Sequence, residues 1–302
     1  MARPEPERRI LRLATGRVET VPLEAYVAAV LPAEIGGRSP RAALEAQAVA
    51  ARSYALAQSG RHTEAGADLC DGVHCQVFRG LSSATPATKA AAESTRGLVL
   101  VRGGRVIAAP FHAVCGGRTA RPADVWDDEE TPELVPVEDD ACGGAEGSAW
   151  TYRIPRRSVP TLSARLGFPE GRFLEVWGRD ATGRVASVRL AAPGGTYRTV
   201  RGFDFRRAAS SLWGWRSVRS TLFDVEETRS DYVLSGHGTG HGAGLCQAGA
   251  IERARRGETA RQILAFYYGG AEVVPLAGVR KAVAVRPAVA ARRPAAAEGS
   301  LR

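Results

Sequence analysis

Residues 31–57 of the chain read LPAEIGGRSPRAALEAQAVAARSYALA. Glu34 stands in a Pro/Gly-rich turn, and Ser39-Pro40 is a typical helix start, with Ser at the N-cap and Pro at the first helical position. Small apolar side chains then recur along one stripe at 3.6-residue spacing: Leu44, Ala48, Ala51 and Ala55. The stretch predicts a helix with a narrow core face that packs closely, with one carboxylate near its positive end.

The composition indicates a globular protein. The chain has 302 residues, of which 44% are hydrophobic, enough for one large domain or two small ones. The net charge is +9, but almost all of the positive charge is arginine, since Lys89 and Lys281 are the only lysines. Because the chain is also crowded with Ala and Gly, this bias favours dispersed, solvated arginines over a dedicated basic patch. We therefore expect no nucleic-acid partner.

The sequence shows neither a membrane span nor a secretion signal. No run of 18 apolar residues is present, so no transmembrane segment is expected. The N-terminal MARPEPERRILRL is charged and lacks an apolar segment of signal-peptide length. Five cysteines in a chain of this length are not typical of a small disulfide scaffold.

The pattern along the chain predicts an α+β fold, with helices and mostly antiparallel short strands around a substrate cleft. Residues 9–31 predict a strand pair leading into a short helix, and Gly103-Gly104 predicts the turn of a hairpin. Residues 61–82 predict an irregular loop. The predicted organisation is a lead over 1–8, one domain over 9–275, and a disordered Ala/Arg/Pro tail over 276–302.

A cysteine-bearing loop is a candidate metal site. Residues 70–78 read CDGVHCQVF, in which Cys70, His74 and Cys75 offer three ligands for Zn²⁺. The spacing differs from C-x2-C, and a Cys70–Cys75 disulfide or three unlinked residues explain it equally well. Cys115 and Cys142 could pair with each other or complete a four-ligand set. Cys246, in an apolar context, is expected to be a buried thiol.

A Gly/His-rich segment is a second candidate. Residues 235–250 read SGHGTGHGAGLCQAGA, and the interleaved glycines argue against a helix that would place His237 and His241 on one face as metal ligands. A zinc hydrolase built on these histidines is therefore disfavoured. A rigid loop would display His241 and Gln247, whereas the alternative is a packing loop whose histidines bond to the backbone.

These stretches together resemble the stage II sporulation protein D family, also called SpoIID/LytB. Residues 31–56 are similar to the family signature, in which an Ala-Glu pair precedes a segment close to EALKAQAVAARTYA. The resemblance continues through CDGVHCQVFRG, through the segment from ESTRGLVLV to ARPADVW, and through GHGTGHGAGLCQAGA to FYYGG. It covers about residues 10–275.

The resemblance implies lytic transglycosylase activity on peptidoglycan glycan strands, with Glu34 as the catalytic acid. Taken alone, an acid in such a turn is more often merely solvated. A single acid nevertheless suits this reaction, because the muramyl C6 hydroxyl of the substrate acts as the nucleophile, whereas most glycosidases need two carboxylates. By the same likeness, the strands stripped of stem peptides are the expected substrate.

Further expectations follow from the likeness and from the residues. We expect Arg52, His112, His241 and Gln247 to contact substrate, with Arg52 orienting Glu34 or sugar oxygens. No cofactor is required for the chemistry, and Zn²⁺ on Cys70, His74 and Cys75 would be structural, as some family members hold zinc in this loop. The expected partners are glycan strands and a cell-wall amidase, and the expected location is the cell envelope. The alternative is a non-catalytic, glycan-binding amidase enhancer.

Overall fold

The structure, a computed structural model, describes residues 5–126, 134–142, 148–279 and 298–300. The described chain separates into two compact units. The first unit comprises Met1–Ala113, Glu133–Val135 and Gly244–Ala290, and the second comprises Val114–Pro132, Pro136–Ala243 and Ala291–Arg302. The predicted single domain over 9–275 stays a prediction, and most of the predicted tail lies outside the described residues.

The helices and strands of each unit follow in chain order. The described helices are α1 (Leu23–Glu34), α2 (Arg41–Ala57), α3 (Pro86–Ser94), α4 (Pro122–Val125), α5 (Val159–Arg165), α6 (Gly202–Trp213), α7 (Gln247–Arg255) and α8 (Ala260–Tyr267). The strands of the first unit are β1 (Glu7–Arg12), β2 (Arg17–Pro22), β3 (Leu69–Cys70), β4 (Leu98–Arg102), β5 (Arg105–Val106), β6 (Phe111–His112), β13 (Leu245–Cys246) and β14 (Glu272–Pro275). Those of the second unit are β7 (Ala149–Pro155), β8 (Phe173–Arg179), β9 (Val185–Ala191), β10 (Thr196–Arg201), β11 (Phe223–Glu227), β12 (Asp231–His237) and β15 (Glu298–Ser300).

The predicted α+β class is confirmed. Most strand pairs are antiparallel, and among the described residues only β1–β3 and β6–β13 pair in parallel. The predicted strand pair and helix are β1, β2 and α1. The hairpin between β4 and β5 turns at Gly103 and Gly104, with φ of +55° and +76°, values that favour glycine.

The start of α2 differs from the prediction by one residue. Pro40 is the N-cap and the helix begins at Arg41, so Ser39 does not cap it. The Ser39 hydroxyl instead donates to the carbonyl of Ile35 at 2.7 Å, which ties the turn back to the end of α1. Glu34 is the last residue of α1, so it does not lie in the turn where the sequence predicts it.

Helix α2 is the centre of the first unit. Its predicted stripe is buried, and so are side chains on other faces, including Ala43, Ala46 and Ala50. α1, α3, α7, α8 and β4 all pack against it. The small side chains explain this arrangement, because alanine lets neighbouring elements approach the helix from several directions without leaving voids.

The second unit is built on two antiparallel sheets. One has the strand order β15-β10-β9-β8 and the other has the order β11-β12-β7. Phe205 of α6 packs with Phe223 of β11 in the core of this unit, with ring centroids 6.0 Å apart, and Leu162 of α5 belongs to the same core. In the part of the chain that the structure describes, every helix is too short or too polar to cross a membrane.

Candidate functional site

Glu34 lies at the C-terminal end of α1, where two groups from distant parts of the sequence hold its carboxylate. The amide of Val77 donates to Oε1 of Glu34 at 2.7 Å. The side chain of Gln247 is the second group: it lowers the pKa of Glu34 as a hydrogen-bond donor, and its Nε2 also lies 3.5 Å from Oε1 of Gln47. Glu34 itself remains partly accessible. The carboxylate is therefore fixed in orientation by the protein while it stays within reach of a ligand.

The position of Gln247 is set by the short parallel pair that precedes α7. Leu245 and Cys246 of β13 pair with β6, and α7 begins at the next residue, Gln247. Gly244 enters this pair at φ +72°, and a Cβ there would lie 2.0 Å from the carbonyl oxygen of Pro110. Only glycine fits, so the glycine allows the close approach that places the start of α7 beside Glu34. Gln247 is predicted to be displayed from a rigid loop, but the structure places it, buried, as the first residue of α7.

Burial raises the pKa of Glu34 above its ordinary value. The hydrogen bonds from Val77 and Gln247 act in the opposite direction, because they stabilise the ionised form. Desolvation is the larger effect, so the protonated carboxyl persists to higher pH than in an exposed glutamate. A protonated carboxyl near neutral pH is what a general acid requires.

Replacing Gln247 is expected to shift the pH dependence of the site. In Gln247→Ala the ionised carboxylate loses a donor, so the pKa of Glu34 rises further. A reaction that needs protonated Glu34 declines as pH rises through this pKa, and we expect the decline to move to higher pH in the variant. The pH profile of kcat/KM measures the shift, with Gln262→Ala, an exposed amide of the same unit, as the control. A decline at unchanged or lower pH would contradict this role for Gln247.

The prediction that Arg52 contacts substrate or Glu34 is wrong. Arg52 is completely buried, and its guanidinium binds the carboxylate of Glu24 through Nε at 2.9 Å and Nη2 at 2.5 Å. It also donates to the carbonyls of Ala92 and Leu98. A buried guanidinium needs acceptors, and here α1, α3 and β4 supply them, so Arg52 joins elements of the core.

The two histidines predicted to contact substrate occupy different settings. His112 is buried on β6, where it pairs with Cys246 of β13. His241 belongs to the second unit, packs on Trp126 with ring centroids 4.7 Å apart, and accepts from the amide of Ala243 at 3.1 Å. This hydrogen bond to the backbone is the one expected if the Gly/His-rich segment is a packing loop. The substrate contacts of both histidines stay predictions.

The cysteine loop forms a four-residue cluster. The structure brings Cys70, His74 and Cys75 together as predicted, and adds His62, which the sequence analysis missed. One nitrogen or sulfur from each residue lies within 4.8 Å of the others. Cys70 and Cys75 are not joined by a disulfide. Cys115 and Cys142, the other candidates for a four-ligand set, lie outside this cluster.

The distances within the cluster fit a tetrahedral ion. Tetrahedral zinc with its usual bond lengths separates two nitrogens by about 3.3 Å and a nitrogen from a sulfur by about 3.6 Å. His62 Nε2 lies 3.3 Å from His74 Nδ1 and 3.4 Å from the sulfur of Cys75. His74 Nδ1 lies 3.6 Å from the same sulfur and 3.9 Å from that of Cys70. Four of the six distances among these atoms are therefore close to those of a tetrahedral Zn²⁺ site, and the other two are within 4.8 Å.

The cluster is connected to the acid by a short piece of backbone. Cys75 is two residues before Val77, the donor to Glu34. Between them, the buried side chain of Gln76 accepts from the hydroxyl of Tyr26 at 3.0 Å and donates to the carbonyl of Ala51 at 3.3 Å. Fixing Cys75 therefore also fixes the amide that orients the carboxylate of Glu34.

Comparison with known proteins shows the family of the chain. The family profile described as Stage II sporulation protein, SpoIID, matches residues 13–101, which include Glu34 and the cysteine loop. An uncharacterized protein of Brachyspira hyodysenteriae is 30% identical over 267 residues, covering 87% of this chain and 70% of that protein. The chain belongs to the SpoIID family.

Two further relatives of this SpoIID-family chain come from Bacillus subtilis. Its stage II sporulation protein D is 26% identical over 285 residues, covering 87% of the chain and 78% of that protein. Its amidase enhancer is 26% identical over 286 residues, covering 80% of the chain but only 39% of that protein. The SpoIID-family chain thus corresponds to less than half of the amidase enhancer.

The remaining cysteines of the SpoIID-family chain are buried. Cys246, predicted as a buried thiol, is completely buried. Cys115 and Cys142 are not linked to each other in a disulfide. In the second unit they lie near Asp139, to which the thiol of Cys115 donates at 3.5 Å. The suggested pairing of Cys115 with Cys142 is thus replaced by a buried group of two thiols and a carboxylate.

The zinc prediction can be tested by metal content. We expect protein purified without chelator to carry about one zinc per chain, because four ligands define one closed tetrahedral site. Cys70→Ser and His62→Ala should each lose the metal, whereas His237→Ala, an exposed histidine outside the cluster, should retain it. Atomic absorption on the three variants decides. Protein without zinc whose Cys70 and Cys75 titrate as an oxidised pair would contradict the prediction.

Proposed function

We propose that this SpoIID-family chain is a peptidoglycan lytic transglycosylase that acts on glycan strands of alternating N-acetylmuramic acid and N-acetylglucosamine. The observation that carries the proposal is the setting of Glu34. Its carboxyl is partly accessible, its pKa is raised by burial, and two donors fix its orientation. These are the properties of a positioned acid that can later act as a base.

Among the described residues, no carboxylate is a cause of the pKa shift of Glu34, and this favours transglycosylation over hydrolysis. Retaining and inverting glycosidases use two carboxyl groups, one of which attacks the sugar or activates water. A reaction whose nucleophile belongs to the substrate needs only one.

The proposed reaction has two proton transfers through the same carboxyl group. Protonated Glu34 gives its proton to the oxygen that bridges C1 of N-acetylmuramic acid and the next N-acetylglucosamine, and the C1–O bond breaks. The Glu34 carboxylate then takes the proton of the muramyl C6 hydroxyl, whose oxygen bonds to C1 and closes a 1,6-anhydro ring. The hydrogen bonds from Val77 and Gln247 stabilise the carboxylate formed between these steps.

Zinc has no part in these steps. His62, Cys70, His74 and Cys75 would hold the ion with protein ligands alone, which is the pattern of a structural site. Bound there, Zn²⁺ would cross-link the loop that ends at Val77. We expect its loss to lower activity through misplacement of the Val77 amide and not through loss of a Lewis acid.

The names of the relatives support a function in cell-wall metabolism. Relatives named stage II sporulation protein D and amidase enhancer support a function related to the wall and a location in the envelope. The name amidase enhancer also supports a wall amidase as a partner. An amidase would leave strands without stem peptides, the substrate that the family resemblance implies.

The relative named amidase enhancer supports a second candidate function, that of a glycan-binding protein that stimulates an amidase and does not itself cleave glycan. The experiment that separates the two is incubation of the purified protein alone with stripped and peptide-bearing strands, and then with an added amidase. We expect cleavage by the protein alone, with stripped strands the better substrate. Stimulation of the amidase without any cleavage would reject the enzyme and support the enhancer.

A further inference from the structure

A groove of about 320 Å³ opens beside the proposed catalytic acid. It is lined by residues 36–40, which directly follow Glu34 and Ile35, and by Ile251 and Arg255 of α7. All of these residues belong to the first unit. The groove therefore begins two residues after the proposed acid in the chain and lies within one compact unit.

Helix α7 relates the groove to the acid. Gln247, Ile251 and Arg255 are spaced by four residues and so follow one face of the helix. Gln247 bonds to Glu34, while Ile251 and Arg255 line the groove. Eight residues of helix span about 12 Å. Arg255 thus lies about 12 Å along the helix axis from the glutamine that touches the acid, roughly the length of one disaccharide.

The groove has a positive lining. Arg38 is exposed, and none of the described residues forms an ion pair with it. Arg255 is also exposed, and its closest acid is Glu252, with Nη1 and Oε2 3.7 Å apart. Glu252 is engaged more closely by Arg256, whose Nε lies 3.2 Å from Oε1. Two guanidinium groups therefore face the groove without a tightly bound carboxylate of the protein.

We propose that Arg38 and Arg255 form a subsite for the free lactyl carboxylate of a muramic acid residue. This inference rests on the proposed function. The lactyl group ends in an amide when a stem peptide is attached and in an ionised carboxylate when the peptide has been removed. Guanidinium groups bind carboxylates through paired, charge-assisted hydrogen bonds, so this pair distinguishes the two states of the strand by charge. Arg38 follows Glu34 by four residues and Arg255 follows Gln247 by eight on α7, and these two spacings set the register of the strand.

Binding to inactive protein tests the subsite without turnover. Glu34→Gln protein is mixed with stripped strands, and with the same strands after their lactyl carboxylates have been coupled to methylamine. We expect the uncharged strands to bind about tenfold more weakly. Adding Arg38→Gln and Arg255→Gln should weaken binding of stripped strands about tenfold and leave binding of the methylamide strands unchanged. Arg105→Gln, which changes an exposed arginine of the same unit outside the groove, should alter neither.

The outcomes separate this inference from the proposed function. Equal weakening of charged and uncharged strands by the arginine substitutions, or no weakening, would overturn the subsite whether or not the protein cleaves glycan. Weakening that is as large with peptide-bearing strands as with stripped ones would also overturn it, because the arginines would then bind stem-peptide carboxylates. Failure of the wild-type protein to cleave any strand, with the charge-dependent binding intact, would reject the lyase and leave the subsite standing.

Discussion

Glu34→Gln is expected to lower the rate of glycan cleavage by about 100-fold to 10,000-fold, the usual contribution of a positioned general acid. The substitution keeps the shape of the side chain but removes its titratable proton. A folded protein that binds glycan and does not turn it over is therefore expected. Single-turnover cleavage of stripped strands measures the rate, and the melting temperature and glycan Kd report whether fold and binding persist.

Glu45→Gln provides the matched control. Glu45 lies in the same unit, forms an exposed ion pair with Arg41 and has no part in the proposed reaction. We expect its cleavage rate to equal that of the wild type. Turnover by Glu34→Gln within a fewfold of the wild-type rate would show that another group transfers the proton.

Arg52→Ala is expected to have the largest effect on stability. The substitution leaves Glu24 buried without its partner and removes donors to two carbonyls of the core. Breaking a buried ion pair in this way costs about 3 to 5 kcal/mol, a large part of the 5 to 15 kcal/mol that stabilises a typical domain. Urea unfolding of the variant should show this loss as a lower midpoint.

Arg41→Ala on the same helix is the comparison. Its pair with Glu45 is exposed and spaced by four residues, so its loss should cost only about 0.5 kcal/mol. If Arg52→Ala were as stable as Arg41→Ala and bound glycan poorly, Arg52 would be a substrate-binding residue and not a residue that stabilises the core.

Local patterns in the sequence predicted much of the fold. The hairpin at Gly103-Gly104 and the strand pair before α1 follow from turn chemistry and alternation, which act over a few residues. The sequence predicts that α2 begins at Pro40, one residue too early, because the Ser39 hydroxyl donates to the carbonyl of Ile35 and does not cap α2. The partner of Ser39 depends on where α1 ends, and the sequence of α2 does not reveal it.

The sequence indicates Glu34 as the candidate acid but does not reveal the groups that surround it. The sequence predicts that Arg52 orients Glu34 or sugar oxygens. Its actual partner, Glu24, lies 28 residues earlier on another helix, so spacing could not identify it. His62 lies eight residues before Cys70, a spacing that is not typical of a zinc motif, and only the fold brings it to the other three residues of the cluster. The available signal was that His62 is a histidine close in sequence to Cys70 and Cys75. The Val77 donor is a backbone amide, which no side-chain motif reveals.

The central claim is that Glu34 acts alone and that the substrate supplies the nucleophile. The most direct test is to digest stripped strands with the protein in water enriched in heavy oxygen and to weigh the new muramyl ends by mass spectrometry. Intramolecular closure predicts 1,6-anhydro ends, lighter by one water than reducing ends and free of heavy oxygen. Reducing ends that carry the heavy isotope would contradict the claim, because they would show that water attacks C1 and that a second catalytic group activates it.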